Sequence, residues 1–375
     1  MSKLKILHTG DIHLGSKFYF LEEYAQKREE DFIQTFHRVC SLALKEKIDL
    51  ILIAGDLFDS PHPSESVFAE AKKGLDKLLE NGVQISLIAG THDDIIASDS
   101  VYHDPYWEKF LFLKDPILKD PIKINIKATP VFLYGVSYNT LDYQDPLPSL
   151  KRKEEEGLHL GLLHCSLKDS PEWKIMPKDL PCTPEDLFSL KLDYMALGHY
   201  HNHRIHREDE QYLSYSGSTE GKRFHETGER FVNILTYENE KLSIEQKSIQ
   251  TKKMLSETID LTTVSSEQHL LKTIVACGDA NHIARIVLKG NADWTLDLKH
   301  LEEKAREHFA YLKIIDEVEI TSHISTYHLE KEDTIRGLFI RKMQDKIIKD
   351  PERKKIYQTA LKEALFYFSK NQNVL

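Results

Sequence analysis

The amino-acid sequence predicts an α/β fold in which a β-sheet packs between helices. Two observations support this class. Helical patterns separate the early strand-like segments, as in strand–helix–strand units. Several short segments also consist almost wholly of Leu, Ile and Val, which is typical of strands buried on both faces; they cover residues 4–8, 48–54, 83–89, 130–136, 158–164 and 193–197.

The first two helices have clear signals. In "EEYAQKREEDFIQTFHRVCSLALKEK" apolar residues recur every three or four positions, as on one face of a helix, at Phe32, Phe36, Val39 and Ala43. The second helix, "SESVFAEAKKGLDKLLENG", has Ser64 as its expected N-cap and Gly82 as its expected end. Residues 98–123 contain three Asp-Pro dipeptides, which predict a loop-rich connection.

We expect three parts in the chain. The first, residues 1–250, contains all six strands above. After about residue 255, "ARIVLKG" and "YLKIIDEVEI" predict two strands that flank a helix over roughly 296–309, which indicates a small separate α/β domain over residues 255–330. Residues 331–375 predict two terminal helices, separated at Asp350 and Pro351.

Apolar stripes run along both terminal helices. The first stripe contains Leu338, Ile340, Met343 and Ile347, and the second contains Ile356, Ala360, Leu361, Leu365 and Phe368. A stripe of this kind usually packs against the chain's own core. Binding to a partner protein is the alternative interpretation.

Composition excludes several classes of protein. Hydrophobic residues make up 41% and charged residues 29%, which is typical of a globular rather than a disordered chain. No apolar run approaches the ~18 residues that a membrane span needs. The N-terminal segment lacks the apolar region of a signal peptide, and the four scattered cysteines indicate reduced thiols. We therefore expect a cytoplasmic protein that does not enter a membrane.

The net charge of −10 does not indicate a nucleic-acid-binding protein. The charge is unevenly distributed, because residues 331–375 carry an excess of +5 and the rest of the chain carries −15. Bound cations would neutralise part of the acidic charge. Ordinary solvated faces explain the distribution equally well, so charge alone leaves both interpretations open.

Carboxylates and imidazoles follow five of the six predicted strands. In chain order these polar groups are Asp11 and His13; Asp56 and Asp59; Thr91, His92 and Asp93; His164; and His199, His201 and His203. In open α/β sheets, ligands bind beyond the carboxyl ends of the strands. We therefore expect all these side chains to converge on one crevice.

The residue types at these strand ends favour a metal centre. Carboxylate and imidazole without thiolate favour Mn, Fe or Zn. The pairs Asp11/His13 and His199/His201 each place two ligands on one short loop, and a carboxylate such as Asp56 can bridge two cations. Two metal ions about 3.5–4 Å apart can catalyse in-line phosphoryl displacement. Each motif alone is weak, because single histidines and Gly-Asp turns are common, but the five together predict a dinuclear site.

The motifs "GDIH", "GDLFD", "GTHD", "LLHCS" and "GHYH" resemble those of the calcineurin-like metallophosphoesterases, most closely the DNA-repair nuclease branch of the SbcD and YhaO type. The likeness continues in Arg28–Phe32 and in "YSGSTEGKRFHETGERF", residues 215–231. It covers essentially the whole chain, strongly over 1–235 and loosely after 255. The resemblance implies a β-sandwich flanked by helices, followed by a small α/β capping domain and terminal helices.

The resemblance also implies a site for two divalent metal ions, with Mn favoured over Fe, Zn or Mg. The implied ligands are Asp11, His13 and His201 at the first metal, Asp56 as the bridge, and Thr91, His164 and His199 at the second.

His92 would act as the general acid or orient the phosphate, and Asp93 would orient His92 through its ring N–H. Positive charge just after the site, at Lys222, Arg223 and Arg230, is the type of charge that contacts a phosphate backbone, and we expect Lys222 and Arg223 to bind substrate. These charges are equally compatible with an ordinary turn. Five further histidines have no matching ligand role and are expected at the surface or in local hydrogen bonds, with His203 as the exception because it adjoins the site; they are His8, His62, His103, His203 and His225.

One ligand position departs from the family pattern. The family has Gly-Asn-His, whereas this chain has Gly90, Thr91 and His92. The Asn amide oxygen normally contacts the second metal, and a threonine hydroxyl is shorter and a poorer neutral ligand. We therefore expect the second metal to bind more weakly than the first, or a water molecule to fill the gap.

The leading hypothesis is a Mn-dependent phosphodiesterase that acts on DNA as a DNA-repair exonuclease. A phosphoesterase for small nucleotides or phosphoproteins is the alternative, and a nuclease subunit weakened at Thr91 that mainly binds a partner is the third. The resemblance also implies a coiled-coil ATPase partner of the SMC type, docked on the C-terminal helices, and a homodimer.

Overall fold

The computed structural model describes five ranges of the chain, which are residues 3–138, 145–169, 171–290, 296–318 and 330–370. The chain divides into two compact units, Met1–Lys253 and Met254–Leu375. Our three-part division at residues 250 and 330 remains a prediction. All four cysteines are free thiols. No helix within the described ranges combines the length and apolar character needed to cross a membrane.

The first sheet of the first unit has six strands. In spatial order they are Lys241–Ser248, Phe231–Glu238, Leu4–Thr9, Leu50–Ala54, Gln84–Ile88 and Leu111–Phe112. The last four are mutually parallel, and the first two form an antiparallel hairpin beside them. The parallel register places Ile6 opposite Leu50, and Leu50 opposite Gln84. The carboxyl ends of three long parallel strands therefore meet at one edge.

The second sheet also has six strands. In spatial order they are Arg204–Glu208, Gln211–Tyr215, Tyr194–Gly198, Leu158–His164, Thr129–Gly135 and Ile122–Ile126. The four inner strands are parallel, and each outer strand pairs in antiparallel orientation. Short elements connect the Leu158–His164 and Tyr194–Gly198 strands of this sheet, among them strands Ser166–Leu167 and Pro181–Cys182 and helix Pro184–Phe188.

The six predicted strands are confirmed, and the structure distributes them three to each sheet. Alternate residues of one strand serve different cores, as a pleated strand requires. Leu52 faces the layer between the sheets with Leu160 and Tyr194, whereas Ile51 and Ile53 face the helices. The two sheets therefore form the β-sandwich that the resemblance implied.

Two long helices cover the outer face of the first sheet, Ala25–Glu46 and Glu65–Glu80. As predicted, the hydroxyl of Ser64 caps the second helix by accepting the Val67 N–H. The predicted loop-rich region 98–123 contains short 3₁₀ turns at Val101–His103 and Pro105–Lys109.

The second unit contains a three-stranded sheet formed by Lys253–Asp260, Asp279–Lys289 and Phe309–Asp316. Helices Glu267–Ala276 and Leu298–Ala305 pack on it through a core that includes Leu270, Leu301 and Leu312. The first strand and the first helix were not predicted, because their apolar residues are interrupted by polar ones.

Two terminal helices, Ile335–Lys349 and Lys354–Lys370, pack together through Ile340, Met343 and Leu361. The default prediction of self-packing is therefore confirmed for the inner part of both stripes. Leu338 and Ile356, which we placed in the same stripes, are exposed.

Candidate metal centre

Backbone hydrogen bonds join the predicted strand ends into one surface. The amide of Asp11 donates to the carbonyl oxygen of Gly55 at 3.2 Å, which links the ends of strands Leu4–Thr9 and Leu50–Ala54. Both carboxylate oxygens of Asp11 accept the amide of His199, at 3.0 and 3.1 Å, which links the first sheet to the second. The crevice predicted from five strand ends is therefore built from both layers of the sandwich.

Four of the predicted ligands have backbone conformations that L-residues rarely adopt. The φ angles are +50° at Asp11, +51° at His13, +49° at Asp56 and +102° at His199. A non-glycine residue in such a conformation costs of the order of 1–3 kcal/mol, and the surrounding structure must compensate. The strain therefore lies at the positions where the side chains turn into the crevice.

Two glycines allow the loops to approach closely. A Cβ atom on Gly198 would lie 1.9 Å from the carbonyl oxygen of Ala54, and one on Gly90 would lie 2.2 Å from Oδ1 of Asp56. Both distances are far below van der Waals contact, and in each case the contact joins different strand ends. Any side chain at either glycine would force the crevice open.

Three groups of side chains bring potential ligand atoms within 4.8 Å of one another. They are Asp11, His13 and His201; Asp11, Asp56 and His164; and His13, Asp56 and His92. The first group is the set predicted for the first metal. The second contains the predicted bridge, Asp56, with one predicted ligand of the second metal, His164. Because the groups share members, they form one continuous centre rather than three separate sites.

The closest contacts are between ring nitrogens and carboxylate oxygens that point toward a common centre. Nε2 of His13 lies 3.1 Å from Nε2 of His201 and 3.8 Å from Oδ2 of Asp56. Nε2 of His164 lies 3.4 Å from the same Oδ2 atom. Asp56 thus lies between the two predicted halves of the site.

Burial makes this cluster suitable for cations. Asp11, His13 and Asp56 are almost completely inaccessible to solvent. Burial raises the pKa of the Asp11 carboxyl to about 7 and lowers the pKa of His13 to about 3. Burial opposes charge on His164 too, yet the neighbouring Asp56 carboxylate raises its pKa to about 9. Two buried carboxylates among imidazoles form a ligand set that suits divalent cations such as Mn, Fe or Zn.

His199 gives a second indication of a missing partner. Its buried Nε2 atom has no hydrogen-bond partner within the described residues, and burial lowers the pKa of the ring to about 2. A neutral imidazole with an unpaired ring nitrogen is the form that binds a metal. The donor set and this unpaired atom therefore fit the divalent metal ions that the resemblance implied.

Outer contacts determine which ring nitrogen faces the centre. Nδ1 of His13 lies 3.0 Å from Oδ1 of Asp59, and Nδ1 of His201 lies 3.2 Å from Oε1 of Glu226. Nδ1 of His164 lies 3.0 Å from the carbonyl oxygen of Ala54. The hydrogen bond to Ala54 in His164, and the nearby carboxylates in His13 and His201, favour a proton on Nδ1, which would leave Nε2 as the ligand atom.

The loop that contains His92 differs from the prediction in one respect. The buried carboxylate of Asp93 accepts hydrogen bonds from the amides of Gly90 and Phe58, at 2.7 and 3.1 Å, and from the Tyr102 hydroxyl at 2.7 Å. These bonds hold the loop rather than the His92 ring. Nδ1 of His92 instead contacts Asp59, whose carbonyl oxygen lies 3.4 Å away and whose Oδ1 atom lies 3.6 Å away. In the structure, Asp59 has the place that we expected for Asp93, because Asp93 turns inward to satisfy backbone amides.

Thr91 lies beside the second half of the centre. Its Oγ1 atom is 3.4 Å from Nε2 of His164. The next amide, that of His92, donates to Oδ1 of Asp56 at 2.8 Å and holds this turn against the predicted bridge. The structure therefore brings the hydroxyl of Thr91 beside His164, and its role as a ligand remains a prediction.

The three basic residues that follow the site have different environments. Nζ of Lys222 lies 2.5 Å from Oδ1 of Asp59, at the border of the centre. Arg223 is exposed. Arg230 is buried and donates to the carbonyl oxygens of His201 and Thr227, at 2.7 and 3.1 Å. Arg230 thus holds the ligand loop, and only the first two remain suitable for contact with substrate.

A buried ion pair anchors the segment that contains Lys222 and Glu226. Nη2 of Arg28 lies 2.7 Å from Oε2 of Glu220, and both side chains are fully buried. The other oxygen of Glu220 accepts the hydroxyl of Thr35 at 2.6 Å. The motifs at 28–32 and 215–231 are therefore two sides of one internal contact.

Sequence reasoning missed two carboxylates of the centre as partners of its histidines. Asp59 follows the second strand and was visible as a polar strand end, but nothing in the sequence paired it with His13 or Lys222. Glu226 lies in an irregular loop with no motif of its own. Of the five further histidines, His8 makes a local hydrogen bond with the Tyr194 hydroxyl as expected, and His203, the expected exception, contacts Asn233.

Comparison with known proteins gives consistent results. The YhaO protein of Bacillus subtilis (strain 168), an uncharacterized metallophosphoesterase, is 25% identical over 350 residues, or 87% of this chain and 84% of the relative. The DNA double-strand break repair protein Mre11 of Sulfurisphaera tokodaii is 34% identical over 215 residues, or 56% of this chain. The Mre11 protein of Archaeoglobus fulgidus is 24% identical over 382 residues, or 89% of this chain and 81% of the relative.

The chain spans about half the length of the Sulfurisphaera protein, 52%, and most of the other two relatives. The family model described as calcineurin-like phosphoesterase matches residues 4–203, which is more than half of the chain and contains every strand end of the crevice. This match, together with the fold, shows that the chain belongs to the calcineurin-like phosphoesterase family.

Proposed function

We propose that this protein is a dinuclear-metal phosphodiesterase that degrades DNA as an exonuclease. The observation that carries the proposal is the continuous centre. Three possible ligand groups overlap there, because Asp11, His13 and Asp56 each belong to two of them. Relatives named as DNA double-strand break repair proteins support DNA as the substrate. Lys222 and the exposed Arg223 beside the centre supply the positive charge that phosphate contacts need.

The first metal would be held by Asp11, His13 and His201, the second by His164, His199 and Thr91, and Asp56 would bridge them. Among the cations that this ligand set accepts, we favour Mn over Fe, Zn and Mg. When bound, the two cations supply Lewis-acid stabilisation of the charge that develops on the phosphoryl oxygens.

His92 is the candidate proton donor. It lies at the rim of the centre with its side chain about half exposed, and its ring centroid is 4.8 Å from that of His13. The Asp59 carboxylate beside Nδ1 orients the ring, so that the opposite nitrogen can give a proton to the departing 3′-oxygen of the cleaved strand. Lys222 holds Asp59 in place from the other side. Asp93 acts one step further away, through the loop that it stabilises.

The test of this proposal is the Asp56→Asn variant, in the presence of Mn. Loss of the bridging charge removes several kcal/mol of transition-state stabilisation, so DNA degradation should fall by at least about a thousandfold. Asp99→Asn, a change at an exposed carboxylate outside the centre, should retain wild-type activity. DNA degradation that persists in the Asp56→Asn protein would contradict the proposal.

A second candidate is a phosphodiesterase for small nucleotides. A cavity of ≈600 Å³ lies beside His164 and is lined by Lys168, Lys178 and several apolar side chains. Its size is within the range of small-molecule sites. Hydrolysis of cyclic nucleotides or a chromogenic phosphodiester, without any hydrolysis of DNA, would favour this function over the nuclease.

The terminal helices are the candidate surface for an SMC-type ATPase partner. Leu338 and Ile356 are apolar yet exposed, whereas their neighbours in the stripes pack internally. Exposed apolar side chains on a helical pair are typical of partner surfaces. Charged substitutions at these two positions should abolish capture of the ATPase, and dimer formation by the same protein can be measured in parallel.

The cytoplasm is the proposed location.

A further inference from the structure

The indole of Trp173 lies against the imidazoles of the candidate metal centre. Its ring centroid is 5.0 Å from that of His199 and 5.9 Å from that of His201, with interplanar angles of 75° and 78°. The ring is also 5.0 Å from that of Tyr200. Edge-to-face contacts of this kind are favourable and directional. Trp173 therefore forms one wall of the centre, although no sequence motif indicated it.

The neighbouring Glu172 holds this wall in place. Residues 171–176 form no helix or strand, but Oε2 of Glu172 accepts the amide of His201 at 3.1 Å and Oε1 accepts the amide of Asn202 at 2.8 Å. The Glu172 side chain is only 8% exposed, and Arg204 lies 3.6 Å from it. The loop is thus fastened to the same turn that presents a metal ligand, so Trp173 is preorganised beside the site.

Packing alone does not explain the exposure of Trp173. Trp107, in the core of the same unit, is 3% exposed, whereas Trp173 remains 38% exposed. A ligand that covered this exposed aromatic surface would gain binding free energy by removing it from water. A flat, uncharged π system is the partner that matches an indole, and in a nucleic acid that partner is a base.

We propose that Trp173 is a stacking site for an unpaired base next to the scissile phosphate. The base must be unpaired, because bases within a duplex are covered by their neighbours and present only their edges. The substrate class is therefore single-stranded DNA or a frayed strand end. This inference rests on the proposed nuclease function and adds to it the form of DNA that the site accepts.

The test compares binding of three DNA probes, a single-stranded thymidine oligonucleotide, the same strand with abasic sites, and a blunt duplex. Binding is measured by fluorescence polarisation with EDTA present, so that it does not depend on bound metal or on cleavage. The wild-type protein should bind the thymidine strand more tightly than the abasic strand. Trp173→Ala should weaken binding of the thymidine strand about tenfold, leave the abasic strand unchanged, and lose the quenching of tryptophan fluorescence by DNA.

Two control variants separate stacking from packing. Trp173→Phe retains an aromatic face and should retain most of the affinity. Met176→Ala removes an exposed apolar side chain that has no π face, from the same segment, and should bind all three probes as the wild type does. Titration with Mn should give the same affinities for Trp173→Ala and the wild type.

Three outcomes would overturn the inference. The Trp173→Ala protein could lose affinity for the thymidine and abasic strands by the same factor, or it could bind Mn more weakly. Either result would mean that Trp173 only supports the histidines. Equal binding of the thymidine and abasic strands by the wild type would also overturn it. Failure of the nuclease proposal looks different, because the wild type would then cleave none of the DNA probes in Mn while still hydrolysing a chromogenic phosphodiester.

Discussion

The two halves of the candidate metal centre have similar ligands and different surroundings. In the first half, both imidazoles contact carboxylates, since His13 faces Asp59 at 3.0 Å and His201 faces Glu226 at 3.2 Å. In the second half, His164 faces the neutral carbonyl oxygen of Ala54. Thr91 supplies only a hydroxyl to that half. The nearest outer carboxylate of the second half, that of Asp179, lies 3.9 Å from Nε2 of His199, so the closest outer carboxylates are those of the first half.

This difference indicates that the groups behind the ligands, as well as the ligands themselves, influence metal affinity. A carboxylate behind an imidazole fixes its tautomer and raises its basicity, whereas a backbone carbonyl fixes the tautomer with a weaker electrostatic effect. The first half should therefore bind its cation more tightly. The substitution at Thr91 lies in the half that already has less electrostatic support, so the two differences act in the same direction.

The largest expected effect comes from the ion pair that anchors the loop behind the first half. Glu220→Ala removes the closer of the two carboxylates that face the buried guanidinium of Arg28, while Asp31 remains at 3.3 Å, so the free energy of unfolding should fall by about 3 kcal/mol. Chemical denaturation measures this change. Glu245→Ala, at an exposed glutamate, should change stability by less than about 0.5 kcal/mol. Equal stability of the two variants would show that the anchor contributes little.

The next effect tests the charge behind His201 directly. Glu226→Gln keeps the shape of the side chain and removes its charge, so the first-half affinity for Mn should fall about 10- to 100-fold. Calorimetric titration with Mn resolves the two binding events. The weaker, second event should stay unchanged, and a loss shared by both events would break the comparison between the halves.

The smallest effect concerns the second half. Thr91→Asn restores an amide oxygen beside His164, and one added polar contact of about 1 kcal/mol corresponds to about a fivefold gain in the affinity of the second Mn. Thr91→Val, which keeps the size and removes the hydroxyl, is the matched control and should show no gain. Two equally tight metals in the unmodified protein would contradict the predicted deficit at this position.

Much of the fold was predictable because its signals are local. The six predicted strands, half of the twelve in the two described sheets, consist of apolar residues almost throughout, and Ser64 is a strong helix cap. The division of those strands between two sheets was not predictable from their composition. Strands buried on both faces have the same composition in either sheet, and strand pairing depends on contacts that are distant in sequence.

The candidate site divides in the same way. The groups that follow strand ends were identified because position and residue type coincide in the sequence. Our prediction placed Asp93 beside the His92 ring, because it is the next residue in the sequence, whereas the structure places Asp59 there from another strand end. Glu226 and Trp173 lie in irregular loops, where no periodicity marks a side chain that reaches the centre.

By itself, the sequence determined six strand-forming segments, the residue types that gather at the strand ends and the family, since each of these depends on residue chemistry at short spacing. The tertiary structure alone decided which carboxylate stands behind which imidazole, and that an indole borders the centre. Those relations join residues that are at least 25 positions apart, among them Glu226 with His201 and Asp59 with His13. Only the closure of two sheets against each other brings such groups within contact distance, because hydrogen bonds and ion pairs act over a few ångströms.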